Sequence, residues 1–197
     1  ELAINPGTLG NASFGSQWLA AFFQSATART AGFNTVDIGQ MVPASLLFMM
    51  MLMFIGAGAT STGGGIKVTT FAVVLLATRA FLTKRPHVTA FGRTLSPQIV
   101  TRSLAIIIVS TMVLMLAMFL LMLTESQSFD KIMFETISAF ATVGLSTGIT
   151  ASLSEPGKLI LVLVMICGRL GPLTLAIMLA RPVETRIRYP EESVYTG

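Results

Sequence analysis

The stretch TARTAGFNT (27–35) recurs later in the chain as AFATVGLST (139–147), and this pair predicts the fold. A shift of 112 residues aligns Thr30 with Thr142, Gly32 with Gly144 and Thr35 with Thr147. Glycine adopts backbone angles closed to other residues, and threonine adds an uncharged hydroxyl oxygen. We therefore expect two structural repeats, each with an irregular turn: the first turn (30–35) and the second turn (142–147).

Each turn lies between a short segment and a long apolar segment. We predict short helices over 16–29 and 129–141, and long helices over 44–80 and 157–180. About 20 residues are needed to cross the hydrocarbon core, so the short helices are re-entrant or buried. Irregular backbone at membrane depth is tolerated only where it is buried or lines a water-filled path. The carbonyl oxygens of both turns are therefore candidate cation ligands, with close helix packing as the alternative role of the glycines and threonines.

The composition is typical of a membrane protein. Hydrophobic residues make up 53% of the 197 residues and charged residues 11%, whereas soluble domains have about 25% charged residues. The segment AIIIVSTMVLMLAMF (105–119) carries no charge and fits one membrane crossing. We predict an all-α integral membrane fold and exclude an ordinary soluble enzyme. The single Cys167 excludes an intrachain disulfide framework and a cysteine zinc site.

The basic residues predict the orientation of the chain in the membrane. One segment without acidic residues contains Arg79, Lys84, Arg85, Arg93 and Arg102. Cytoplasmic loops are enriched in lysine and arginine, so we expect residues 79–102 and the C-terminus to lie in the cytoplasm of a multi-pass cell-membrane protein. The net charge of +4 then reflects topology. We expect no nucleic-acid partner, because basic residues interleaved with base-reading side chains are lacking.

The segment GATSTGGGIK (58–67) interrupts the long apolar segment 44–80. A glycine costs about 1 kcal/mol relative to alanine inside a helix, so three in succession predict a break. A flexible linker is the alternative to a functional loop. A phosphate-binding loop is excluded, because Gly64 stands where that motif requires lysine after Gly58 and Gly63.

Two other classes of protein compete with an ion pathway. Residues 144–148 (GLSTG) match the GxSxG pattern of serine hydrolases. That chemistry needs a base, and the only histidine, His87, is expected on the opposite membrane side from Ser146. Secondary transporters of other small solutes also use broken helices and internal repeats, and they are the stronger alternative.

Four motifs resemble one known family. They are ATARTAGFNTVD (26–37), GATSTGGGIK (58–67), SAFATVGLSTG (138–148) and GRLGPLT (168–174). They resemble the potassium-translocating subunits of the Ktr/Trk/HKT superfamily, and most closely the KtrB type. The resemblance implies repeated helix–pore helix–filter loop–helix units, four in all, around a pseudo-fourfold pore. It divides the chain into a third unit lacking its first helix (1–80), a basic cytoplasmic loop (81–102), a complete fourth unit (103–181) and a cytoplasmic tail (182–197).

The resemblance also implies roles for particular residues. Potassium would bind at the filter carbonyls of Thr30, Ala31, Gly32, Phe33, Thr142, Val143, Gly144 and Leu145. The gate loop would comprise Gly58, Ala59, Thr60, Ser61, Thr62, Gly63, Gly64, Gly65 and the following Lys67. Arg169 would shape the electrostatics of the pore, or tie a helix break through carbonyls. Potassium is the implied transported ion, sodium is a candidate coupling or activating ion, and no covalent cofactor or enzymatic activity is implied.

The implied partners are the lipid bilayer, the N-terminal half of the same permease and a second copy in a homodimer. A cytosolic nucleotide-binding regulatory ring of the KtrA type is implied as well. Charged side chains near the turns predict local contacts. Arg29 and Asp37 flank the first turn and either pair or shape the field at the outer mouth, and Glu135 is a candidate hydrogen-bond partner of the second turn's backbone.

Overall fold

The structure is a computed structural model that describes residues 13–56, 58 and 63–171, together with positions 5, 7, 8 and 10. Four predicted gate-loop residues lie outside the described residues, namely Ala59, Thr60, Ser61 and Thr62. The predicted tail (182–197) and the predicted end of the last helix beyond residue 171 also lie outside them.

The described part of the chain is helical, as the composition predicted. Its helices are α1 (Phe14–Thr27), α2 (Pro43–Phe54), α3 (Val68–Leu82), α4 (Pro97–Thr124), α5 (Phe129–Phe140) and α6 (Glu155–Leu170). A short antiparallel pair, β1 (Thr89–Ala90) and β2 (Arg93–Thr94), lies between α3 and α4. Helix α5 packs against α2, α4 and α6, and α3 packs against α4.

The order of elements recurs at the spacing of the two turns. Helices α1 and α5 each lead into a turn, which is followed by a one-turn 3-10 helix at Ile38–Gln40 or Thr150–Ser152. The next helix begins at Pro43 in one copy and at Glu155 in the other. The two helix starts lie 112 residues apart, and so do the two 3-10 helices. This is the same spacing that separates Thr30 from Thr142.

Helix α5 is buried although it is short. Phe134 and Phe140 are fully buried, and both lie in hydrophobic clusters that surround this helix. One cluster joins α5 to Met49 and Met53 of α2, and the other joins it to α4 and α6. Because packing rather than length supports α5, its position and the position of the turn after it are set by three neighbouring helices.

The basic segment contains more regular structure than the sequence predicted. A loop was expected over 81–102, but α4 begins at Pro97 and includes Arg102. Proline is favoured at the first helical position, since its missing N–H has no partner there anyway. Phe91 and Gly92 both have positive φ, 49° and 75°, the conformation that closes a two-residue β-hairpin.

Helix α4 is long and apolar enough to cross a membrane. It has 28 residues, and its most apolar 18-residue segment has a mean hydropathy of 2.9, with 22% of that segment buried. Among the described helices no other combines that length and hydropathy, although α2 and α3 are shorter apolar helices. Large exposed side chains recur along α4, including Leu104, Ile108, Met112, Met115, Phe119 and Leu123.

Candidate functional site

The two turns share an unusual backbone conformation. Thr30 and Gly32 have φ angles of 73° and 74°, and Thr142 and Gly144 have 54° and 89°. Left-handed angles are uncommon for a β-branched residue, so their repetition at equivalent threonines marks a specific backbone path. Among the described residues, no hydrogen bond ends on the carbonyl oxygens of residues 30–32 or 142–145. Both turns therefore present oxygen acceptors for a ligand.

The two turns are in contact with each other. A Cβ added at Gly32 would collide with the backbone carbonyl oxygen of Val143. Just after the first turn, a Cβ added at Gly39 would lie 3.0 Å from the carbonyl oxygen of Thr147. A Cβ added at Gly144 meets no atom of the described chain within 4 Å. Gly32 therefore allows the close approach of the turns, whereas Gly144 borders open space.

Glu135 of α5 holds the second turn. Its side chain is 5% exposed, and Oε1 accepts hydrogen bonds from the backbone N–H of Thr147 at 2.9 Å and the hydroxyl of Ser146 at 2.5 Å. The Thr147 hydroxyl donates to Oε1 at 3.2 Å, and the Thr150 hydroxyl donates to Oε2 at 2.9 Å. The predicted bond between Glu135 and the turn backbone is confirmed.

The first turn is held differently. The Thr27 hydroxyl donates to the carbonyl oxygen of Phe33 at 2.8 Å, so this predicted filter carbonyl already has a partner. Pairing was one of two alternatives for Arg29 and Asp37, and the described residues show no such pair. Asp37 accepts from the Gly39 N–H at 3.0 Å and from Gln40 Nε2 at 2.8 Å. Arg29 Nη1 instead donates to the carbonyl oxygens of Ile55 and Gly56, the two residues that directly follow α2.

The apolar segment breaks where the glycines predicted. Helix α2 ends at Phe54 and α3 begins at Val68, and we call the described residues 54–56 and 63–67 the loop base. Two backbone hydrogen bonds join the two segments of the loop base. The Gly56 N–H donates to the carbonyl oxygen of Ile66 at 2.8 Å, and the Ile66 N–H donates to the carbonyl oxygen of Phe54 at 3.1 Å. The loop base also contains the Lys67 Nζ to Gly63 carbonyl bond at 2.6 Å.

The loop base contacts both turn regions. Arg29, which directly precedes the first turn, donates to the carbonyl oxygens of Ile55 at 2.9 Å and Gly56 at 3.2 Å. The Gly64 N–H donates to the hydroxyl oxygen of Thr142 in the second turn at 2.8 Å. Neither contact was predicted from the sequence. The arginine beside a turn was a signal for the first, but no local pattern links Gly64 to Thr142.

A cavity of about 590 Å³ borders the second turn. Thr142 and Gly144 line it together with Met165 and Arg169 of α6. Arg169 lies in the last turn of α6, where a cation is favoured by the helix dipole. Its side chain is exposed, and the carbonyl tie predicted for it is not found among the described residues. The predicted pore arginine and the second turn thus share one cavity.

Comparison with known proteins identifies the family. The TrkH family, described as "Cation transport protein", matches residues 3–187. The Ktr system potassium uptake protein B of Vibrio alginolyticus is 65% identical over 98% of this chain, which corresponds to 42% of that protein. The protein of the same name from Bacillus subtilis is 43% identical over 98% of the chain and 43% of its own length.

A solved structure supports the same fold. The potassium transporter TrkH from Vibrio parahaemolyticus superposes with a TM-score of 0.74, at 23% identity, over 87% of this chain and 39% of that chain. This likeness shows the helical fold, and the family match places the chain in the class of cation transport proteins. The chain belongs to the TrkH family of cation transport proteins, and it spans less than half the length of the relatives described above.

Family membership decides between protein classes. The predicted resemblance to the Ktr/Trk/HKT superfamily is confirmed, and so is the expectation of a transport protein rather than an enzyme. The serine-hydrolase alternative fails for this reason, and Ser146 is engaged by Glu135 in the structure. Membrane localisation follows from membership of a cation-transport family.

Proposed function

We propose that this chain forms part of a potassium permease in which dehydrated potassium passes a filter of backbone carbonyl oxygens. The observation that carries the proposal is the pair of contacting turns, in which the carbonyl oxygens of residues 30–32 and 142–145 accept no hydrogen bond among the described residues. Uncharged carbonyl oxygens can replace the hydration shell of an alkali cation. They bind the ion weakly enough that it can dissociate and pass on through the pore. The names of the two potassium uptake relatives support potassium as the ion.

The proposed filter contains the four residues of each turn that the sequence predicted. They are Thr30, Ala31, Gly32 and Phe33 in the first turn, and Thr142, Val143, Gly144 and Leu145 in the second. The shared left-handed angles support a common role for the two turns. The short helices α1 and α5 then act as pore helices, whose carbonyl ends point a partial negative charge toward the ion.

Two turns do not enclose an ion, so the proposed pore needs further units. The chain covers 42% of its Vibrio alginolyticus relative, which agrees with residues 1–80 and 103–181 being the third and fourth of four units. The N-terminal half of the same permease would supply the other two filter walls. We further propose a homodimer regulated by a cytosolic nucleotide-binding ring, with sodium as a candidate coupling or activating ion.

The proposed orientation places residues 79–102 and the C-terminus in the cytoplasm. The basic residues of that segment support this side. The exposed apolar side chains of α4 support contact with lipid, because such a continuous surface is unfavourable in water. The cavity shared by the second turn and Arg169 supports a role for this arginine as an electrostatic barrier on the cation path.

The first test is uptake of rubidium, a potassium analogue, into liposomes that contain the full-length parent permease. We expect selective uptake that sodium does not abolish, and a loss of preference for rubidium over sodium of up to roughly tenfold in Gly144→Ser. A serine at φ 89° carries about 1–2 kcal/mol of backbone strain, and this is the free energy available to displace the carbonyl oxygens of the turn; 1.4 kcal/mol corresponds to a factor of ten. Uptake of another solute without rubidium transport would instead support the secondary-transporter alternative.

We also propose that the Gly-rich loop, Gly58–Gly65 with Lys67, gates the pathway. The contact between Gly64 and Thr142 supports a position for the loop beside the filter. Deleting residues 59–65 removes the proposed gate, so rubidium flux is expected to rise several-fold. The chain can reconnect after this deletion, because the hydrogen bonds of the loop base hold its two ends close together. Unchanged flux in correctly folded protein would eliminate the gating role while leaving the filter proposal intact.

A further inference from the structure

The loop base is attached to the turn regions at two points that differ in chemistry. On one side a guanidinium nitrogen of Arg29 donates to the carbonyl oxygens of Ile55 and Gly56, just after α2, at 2.9 and 3.2 Å. On the other side the Thr142 hydroxyl accepts the Gly64 N–H at 2.8 Å. Because Gly56 and Ile66 are hydrogen-bonded to each other, the two attachment points belong to one joined backbone unit.

The internal repeat indicates that neither attachment is required to build a turn. The counterpart of Arg29 in the second copy is Ala141, which has no hydrogen-bonding side chain. The counterpart of Thr142 in the first copy is Thr30, which has the same left-handed backbone. Within the described residues, the hydroxyl of Thr30 forms no hydrogen bond. Each hydrogen bond to the loop base is therefore specific to one of the two copies.

The packing around Gly64 strengthens this contact. A Cβ added at Gly64 would lie 2.8 Å from the Phe140 carbonyl oxygen and from Cγ2 of Thr142, so only glycine allows the loop base to reach α5. Gly56 is similarly constrained, because an added Cβ would collide with the Gly64 carbonyl oxygen. The loop base thus has little freedom to shift without breaking its bond to the second turn.

We propose that Arg29 and Thr142 are positioning residues that couple the loop base to the two filter turns. Displacement of the loop base then alters the turns, and ion occupancy of the turns alters the loop base. This inference rests on the proposed filter and gate, and it adds the residues that connect them. The side chain of Thr142 acquires a role separate from its backbone carbonyl.

The matched substitutions Thr142→Val and Thr30→Val test the coupling. Both remove a hydroxyl from equivalent positions and keep the β-branched shape. In the full-length permease we expect Thr142→Val to raise rubidium flux roughly two- to tenfold above wild type, the range expected for loss of one hydrogen bond. Deuterium exchange of the peptide containing residues 63–67 should accelerate in Thr142→Val and not in Thr30→Val, and this readout does not depend on transport.

A second pair of variants keeps the test decisive if Thr142→Val folds poorly. Arg29→Met removes the donor to Ile55 and Gly56, and Arg29→Lys retains a cationic donor. We expect faster exchange in the loop base and increased flux in Arg29→Met, with partial recovery in Arg29→Lys. Equal exchange and flux in Thr142→Val and Thr30→Val, in a wild type that transports rubidium, would overturn the coupling. A wild type without rubidium transport would overturn the proposed function instead.

Discussion

Substitution of Gly32 by serine is expected to abolish selective rubidium uptake, a larger effect than that of Gly144→Ser. Two costs combine at Gly32. Its φ of 74° disfavours any residue with a Cβ, and that Cβ would collide with the carbonyl oxygen of Val143. The collision pushes the two turns apart, so the change damages both filter walls. At Gly144 the added side chain enters open space, and only the backbone strain applies.

Gly15 provides the control for this prediction. It lies in α1, and a Cβ added there meets no atom of the described chain within 4 Å. Gly15→Ser should therefore retain wild-type rubidium preference in the liposome assay. The explanation of Gly32 by turn contact fails if Gly32→Ser transports as selectively as Gly15→Ser at equal amounts of reconstituted protein.

Replacement of Glu135 by alanine is expected to destabilise the folded protein by about 3 kcal/mol or more. The carboxylate accepts hydrogen bonds from three side-chain hydroxyls and one backbone N–H. Each buried donor that is left without a partner costs about 1–3 kcal/mol. Loss of these bonds also releases the second turn, so selectivity should fall together with stability. Glu135→Gln keeps one acceptor oxygen and should have a smaller effect. Thermal unfolding in detergent measures the first change, and the rubidium-to-sodium uptake ratio measures the second.

Glu155→Ala is the matched control for Glu135. The side chain of Glu155 is 89% exposed and pairs with Lys158 across one helical turn at 3.0 Å. Exposed pairs of this kind contribute about 0–1 kcal/mol. Equal losses of stability in Glu135→Ala and Glu155→Ala would show that Glu135 does not brace the second turn.

Several parts of the site were predictable from local chemistry. The glycines of the Gly-rich loop predicted the break between α2 and α3, because a helix loses stability with each glycine. The repeated Thr/Gly pattern located both turns, and Glu135 was correctly expected to bond the turn backbone. The alternative in which Arg29 pairs with Asp37 failed, because proximity along the chain gave no information about the carbonyl oxygens of Ile55 and Gly56.

The helix boundaries illustrate a different limit. The resemblance placed the start of the fourth unit at residue 103, directly after the last residue of the basic segment, Arg102. The structure begins α4 at Pro97, because proline is favoured at the first helical position. The distribution of basic residues indicates on which side of the membrane a loop lies. The first residue of a helix depends instead on how the backbone N–H groups at its start are satisfied.

The sequence by itself determined the helical membrane class, the spacing of the repeat and the position of both turns, since hydrophobicity, charge and glycine content act through neighbouring residues. Only the tertiary structure decided which groups meet across the chain. The close approach of Gly32 to Val143, and the bond from Gly64 to Thr142, join residues that are remote in sequence. Such contacts arise because α5 is buried among α2, α4 and α6. A periodic apolar pattern indicates which face of a helix is buried, but it does not identify the helix that packs there.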